Sequence, residues 1–561
     1  MDTWSRQEAV GEGLTATSPT KSEDLLAELP PELLQGAPLH LLMRRRGAFM
    51  KPPNKCRQCV STQQTDCYAY FVSHDWATNR WLKYFSLLVH FNGVPAAVAA
   101  LIAGIGLGLL ITLGLVPHSS WMPFLAHLLP VLVLLFWQDI RRVVFQARMV
   151  FLDCACIPQG DDALKAQCIR GLVSFLNRSE KLIVLWSPRY FRRIWCAYEV
   201  AFFLQKNQAE QIIFVPVQLA SIWFLNYLLA LLTRTTLYFS EAIDIYGQSV
   251  AAYIGLVGGV LLLQQLTIWP AVYYAVTNLL QDVEELPQQL KQFNVDDAGC
   301  SCCTNHHRDP VTGEPVPCDR KLIYEVLERW FGPGQGTEDA LARFNTHMRE
   351  SLVMQVEQTS RPEILILKHG VVANCAACFP YLSADIVMTC DRINRQTRGV
   401  LLYPAGQLYI FLVVLCGMRV MVLIGQFGQH SACRHRAGTI AGQVALHAAY
   451  SFGMMLLWTS WAAVIDEYSY MPLSALCILL CFSAYVLAPL CRGSCGSCLT
   501  ADRARKMASR GESVGLEHVV AGVKGCDNVY SEEHVMAGPD RQVKECECDK
   551  VYNEDLVEVI V

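Results

Sequence analysis

Charge is what this 561-residue sequence has least of: 17% of its residues are Asp, Glu, Lys or Arg, against 53% hydrophobic. Such a balance excludes an ordinary soluble protein and points to a multi-pass membrane protein. An excess of basic residues is also missing, since the formal net charge is -4. With nothing to neutralise phosphates, nucleic acid is not an expected partner. The opening MDTWSRQEAV lacks the charged-then-apolar layout of a signal peptide, so the first span is expected to target the chain. Repeated halves, the usual mark of a transporter, are not seen.

Uncharged runs are plentiful. Val94 to Val116 is long enough to cross a bilayer, and Trp121 to Trp137 is shorter but equally uncharged,. Around the tip Pro117 to Ser120 they make a hairpin, preceded by Arg80 and Lys83 and followed by Arg141, Arg142 and Arg148. By the positive-inside rule both of its ends are cytosolic. Gly104 and Gly108 form a GxxxG, expected to serve packing within the hairpin or, secondarily, dimerisation. Val250 to Val276 is a further span with a possible kink at Pro270, and Leu219 to Leu232 is ambiguous between lying on the membrane and crossing it. Three more spans are expected at about 400–424, 438–464 and 471–490. If the ambiguous segment does not cross, the total is six with both termini inside. Arg419 and His447 are the intramembrane residues that would mark a transport path.

The polar parts divide accordingly. Residues 1–65 read as disordered or loosely ordered, with a CxxC at Cys56 and Cys59 too isolated to define a metal site. Residues 66–92 and 145–216 carry strand and helix signals, 93–140 the hairpin, 219–280 a membrane-associated region, 281–399 a Cys/His-rich polar region and 400–490 the last spans. Residues 491–561 are a flexible tail whose Cys495 and Cys498 invite palmitoylation.

Within 66–216 three apolar segments each end in polar residues: YAYFVSHDW at 68–76, MVFLDCACIPQG at 149–160 and KLIVLWSPRY at 181–190. Leu164, Cys168, Leu172 and Phe175 give a helix between the last two one apolar face. Strands alternating with helices imply a parallel sheet, whose sites form beyond the carboxyl ends of the strands. Ser73, His74, Asp75, Asp153, Gly160, Ser187 and Glu199 all lie at or just after such ends. Trp195 and Glu199, four apart, share a helix face.

FVSH at 71–74, FLD at 151–153 with Gly160 following, LIVLWSPRY and WCAYE at 195–199 together resemble a TIR-type domain over about 66–216, less the hairpin. The resemblance implies a flavodoxin-like α/β fold, homotypic association with like domains, and either a signalling role or NAD glycohydrolase activity. In enzymatic members the catalytic glutamate of WxxxE falls on Glu199, with Ser73, His74, Asp75, Asp153 and Trp195 around NAD as substrate. Arg193 stands where family members commonly carry serine. Glu199 is expected in a cleft between the ends of the first two strands, kept ionised by the helix N-terminus. A channel or transporter carrying a TIR-like regulatory domain is the alternative.

Twenty-four cysteines are too many to ignore. Those in the α/β segments read as reduced core thiols. Cys300, Cys302, Cys303, His306, His307 and Cys318 cluster within twenty residues, a donor set for zinc, with disulfides or free thiols as equal alternatives. With six spans this region would face the lumen or exterior, where disulfides prevail. Arg320 to Phe331 reads as a helix and Glu363 to Lys368 as a strand.

Overall fold

A computed structural model describes residues 28–50, 62–158, 161–206, 208–242, 250–308 and 362–394, most of 313–356, and parts of 416–451. The CxxC at Cys56 and Cys59, Gln159, Gly160, most of the last three expected spans and the tail lie outside the described residues.

Six strands build one sheet: β1 Gln35–Pro38, β2 Gln63–Gln64, β3 Tyr68–His74, β4 Met149–Phe151, β5 Ser179–Trp186 and β6 Ile212–Pro216. Their order is β2-β1-β4-β3-β5-β6. The last four in that order are mutually parallel, and β1 joins β4 antiparallel. Leu182, Ile183, Val184 and Leu185 are fully buried, as consecutive residues must be when both faces of a parallel strand are covered. On β3, Tyr70 pairs with Val150 on one side and Lys181 on the other. Strands from before and after the hairpin are therefore direct neighbours in one sheet.

Within 1–65, expected to be mostly disordered or loosely ordered, residues 28–50 form regular elements. Leu34, Ala37, Leu39 and Met43 are buried in the main core, and β1 and β2 cover the edge that β4 would otherwise leave open. The helix expected between β4 and β5 is two, Asp162–Arg170 and Leu172–Asn177, broken at Gly171. A Cβ there would meet the Leu29 side chain at 2.3 Å. Cys168, Leu172 and Phe175 are buried, but Leu164 faces outward.

Among the described residues four helices are long and apolar enough to cross a membrane: Arg80–Thr112, Met122–Val144, Gly255–Lys291 and Leu365–Asp391. The last corrects the strand expected at 363–368. EILILK runs on through VVANCAAC without a break, so an apolar run too short to settle the choice becomes a helix by length. Ile102, Leu109, Leu132, Phe136, Leu262 and Leu266 stand exposed on the outside of this bundle, as lipid-facing side chains do.

Leu219–Ala242 is a 24-residue helix that runs the depth of the bundle. It begins just after β6, and at its far end the Tyr238 hydroxyl donates to the Ser120 carbonyl at the hairpin tip, 3.2 Å away. Midway, Arg234 Nη2 donates to both carboxylate oxygens of Asp385, at 2.9 and 3.0 Å, both side chains buried. That partner is 151 residues away in sequence, and the helix is longer than the apolar run at 219–232 that had left the choice between lying on the membrane and crossing it open. The GxxxG has a different neighbour from the one expected. A Cβ on Gly104 would lie 2.1 Å from the Phe379 carbonyl oxygen, and one on Gly108 3.0 Å from Ile386. The two glycines seat the break in the Leu365–Asp391 span rather than the hairpin's own second helix.

Candidate functional site

The helix Ile194–Gln205 follows β5 through a turn at Tyr190–Arg192. Ile194, Ala197, Val200, Ala201 and Leu204 are buried on the sheet. That packing turns Trp195 and Glu199 toward the carboxyl ends of β3 and β4. A cavity of about 450 Å3 opens there, lined by Ser73, His74, Asp153, Trp195 and Glu199, with Trp76, Lys165 and Arg193 around it. Its size is that of a small-molecule site.

Ser73, at the end of β3, donates a short hydrogen bond to the Glu199 carboxylate. With that proton committed, the Tyr190 hydroxyl is the donor to Ser73 Oγ at 2.6 Å. Tyr190 was missed in the sequence; its place in the turn after β5 shows only once β3 and β5 are adjacent. Neither Arg192 nor Arg193 pairs with Glu199. Arg192 is exposed, and Arg193 approaches Asp75 at 3.8 Å, as does Arg189.

Glu199 is not held ionised, as the helix-terminus argument expected. Burial pushes its pKa up to about 8, Ser73 and the more distant Arg193 oppose the rise, and Asp153 adds to it. Although the side chain keeps partial exposure into the cleft, it has little water around it, and desolvation outweighs half a unit of dipole charge. Asp153 opens a four-residue helix and accepts from the Cys154 N–H at 2.7 Å; burial raises its pKa to about 6. His74 is buried and held neutral by desolvation, its Nε2 without a hydrogen-bond partner. Asp75 does not line the cleft. It is buried behind it, accepting from Thr78 and the Ala77 N–H. Asp161 is exposed and caps its helix through the Ala163 and Leu164 N–H groups. Cys154, expected as a reduced thiol, is disulfide-bonded.

The Cys/His-rich region supplies a wall that sequence reasoning placed elsewhere. Ser301 and Asp319 line the same cavity, and Asp319 accepts from the Trp195 indole N–H at 3.1 Å. Gly299 accepts from the Ile194 N–H at 3.1 Å, capping a helix terminus that would otherwise leave that donor unpaired. Trp330 stacks on Tyr198, and Phe293 packs on Phe191. The region is therefore on the same side as the sheet, not the opposite one. No family model, curated protein or solved structure matches this chain. The cleft's chemistry has to be read from its own residues.

Two groups beside the cleft could hold a metal: Cys302, Cys303, His307 and Cys318, and Cys300, Cys302 and Asp319, the ligand atoms of each lying within 4.8 Å of one another. His306 belongs to neither. All four of Cys300, Cys302, Cys303 and Cys318 are free thiols. His447 lies against Trp269 with its Nδ1 3.0 Å from the Tyr273 hydroxyl, and Arg419 Nη1 is buried without a hydrogen-bond partner.

Proposed function

We propose that this chain is a multi-pass membrane protein whose α/β unit is a TIR-like module facing the cytosol, and that its Glu199 cleft cleaves the bond between nicotinamide and ribose in NAD. The observation that carries the reading is the Glu199 carboxylate in a cavity, bonded to Ser73 and not to either neighbouring arginine. The parallel order β4-β3-β5-β6 agrees with a flavodoxin-like start, 2-1-3-4 when the parallel strands are counted along the chain,. The antiparallel β1 and β2 at the edge depart from it.

For the reaction, the nicotinamide ring of NAD carries a positive charge that would draw the proton from a carboxyl poised near 8,. The resulting carboxylate, with Ser73 as its donor, would hold the ribose hydroxyls while the ribose–nitrogen bond breaks, and would stabilise the cation-like ribose. Water then adds to that carbon, giving ADP-ribose, nicotinamide and a proton. Trp195 and Trp76 supply flat apolar walls. Incubating full-length protein in nanodiscs with NAD tests this. Nicotinamide release that Glu199→Gln abolishes is the expected result; no release from the wild type leaves the unit as a self-association module for like domains.

Parity of the spans agrees with a cytosolic placement. With Leu219–Ala242 and Leu365–Asp391 both counted, and with three more expected beyond residue 400, the number is even and the basic residues after Cys491 return to the side of the α/β unit. A channel reading would need polar side chains open to a path. Two of the polar contacts described in the bundle join its own side chains, Arg234 with Asp385 and Gln138 with Asn92.

A further inference from the structure

We propose that Cys302, Cys303, His307 and Cys318 bind one zinc ion, and that this ion holds the wall of the Glu199 cleft in place. Three sulfurs and one imidazole are the donor set that tetrahedral zinc prefers. The distances agree with it. Bonds of about 2.3 Å from zinc to sulfur place tetrahedral thiolates about 3.8 Å apart; Cys302 and Cys303 are 3.9 Å apart and Cys303 and Cys318 3.8 Å. Cys300, 3.1 Å from Cys302, is too close to be a second corner of the same tetrahedron and lies outside the group of four.

The surrounding backbone is shaped for the same purpose. His306 and His307 both take positive φ, 53° and 55°, which costs a side-chain-bearing residue about 1–3 kcal/mol. This turn carries the His307 imidazole back over the thiols, and the His307 N–H donates to the Cys302 carbonyl at 2.7 Å. Arg308 and Pro315 form an antiparallel bridge, closing the loop that returns the chain to Cys318. The Asp319 N–H points at Cys302 Sγ from 3.2 Å, a bond that a metal-bound thiolate accepts well. With four protein ligands and no open position, the site is structural.

Its consequence is positional. The ion would tie the helix Ser301–Thr304 to the start of Asp319–Phe331, the two elements that place Ser301 and Asp319 in the cavity wall and Asp319 against Trp195.

The test uses full-length protein purified in detergent under reducing conditions, with zinc, iron and copper measured by elemental analysis. Wild type is expected to hold about one zinc per chain and to lose it, by at least about tenfold, in Cys318→Ser and His307→Ala. Cys300→Ser and His306→Ala, whose residues are outside the tetrahedron, should keep it. Wild-type protein stripped by chelator and refilled with cobalt should show the intense visible bands of a tetrahedral thiolate site, a readout that does not require any variant to fold. Absence of zinc with an octahedral cobalt spectrum, iron in place of zinc, or equal loss from Cys300→Ser and Cys318→Ser would each overturn the assignment.

Discussion

Glu199→Gln should stabilise the protein at alkaline pH and leave it unchanged near pH 5. Burial raises the carboxyl from an ordinary 4.5 to about 8. Below 4.5 the folded and unfolded chains both carry it protonated. Between 4.5 and 8 the unfolded chain releases the proton while the folded chain keeps it, so stability falls as pH rises and the full cost is reached above 8. At about 1.4 kcal/mol per pH unit, that interval sets a ceiling of about 5 kcal/mol. The carboxylate keeps some exposure into the cleft, and solvent there relaxes most of the cost, leaving about 1–2 kcal/mol. Glutamine keeps an oxygen to accept from Ser73 but cannot ionise. Thermal unfolding of wild type and variant in the same nanodiscs, followed by tryptophan fluorescence from pH 5 to 9, gives the difference directly. Asp153, raised to about 6, titrates in both proteins and largely cancels. A gap in favour of the variant that widens from about pH 5 and levels off above about pH 8, reaching several degrees, is expected,. A difference independent of pH would refute the claim that burial controls this carboxyl.

The same carboxyl sets a rate profile: kcat/KM for NAD should rise with pH toward about 8, and Ser73→Ala, which removes a donor to the charged form, should move that limb to higher pH. In the bundle, Gly104→Ala should cost about 1–3 kcal/mol because its Cβ would sit 2.1 Å from the Phe379 carbonyl oxygen,. Gly106→Ala, with nothing within 4 Å, should be neutral or stabilising by up to about 1 kcal/mol; equal thermal shifts for the two would exclude the packing. Asp385→Asn should lower stability by about 3–5 kcal/mol by leaving Arg234 buried without its counter-charge,, read as a lower melting temperature and poorer recovery from detergent.

What could be read from the sequence was whatever local pattern decides. LIVL at 182–185 announces a strand buried on both faces because four consecutive apolar residues have no solvent side to give away. Ser73 and Asp153 were identifiable as neighbours because each lies at or just after the end of its strand, and parallel strands bring such ends to one edge of a sheet, while Glu199 lies one turn into the helix that follows β5 and shares a face with Trp195. The charge on Glu199 was misjudged because the helix terminus is a local cue and desolvation is not. Its size depends on Ser73, Asp153 and the walls around them, which only the assembled cleft supplies.

The undecided crossing at 219–232 and the strand expected at 363–368 have one cause, which is that a short apolar run was judged by its own length. An isolated arginine in hydrocarbon costs at least about 2.5 kcal/mol, so Arg234, just beyond the apolar run at 219–232, needs a partner inside the bundle. Asp385, within the Leu365–Asp391 span, needs one likewise. Each is the other's remedy, with two hydrogen bonds at about 3 Å, and Tyr381 lies under the guanidinium at 5.2 Å. Once both segments are accepted as running the depth of the bundle, the region between Lys291 and Pro362 must begin on the side where the α/β unit stands. That is where Asp319 meets Trp195. The pairing of two charges inside the bundle thus bears on which residues can reach the cleft outside it. Reversing the pair, Arg234→Asp with Asp385→Arg, should therefore recover the stability that either single change loses, and with it the contact of Asp319 on Trp195.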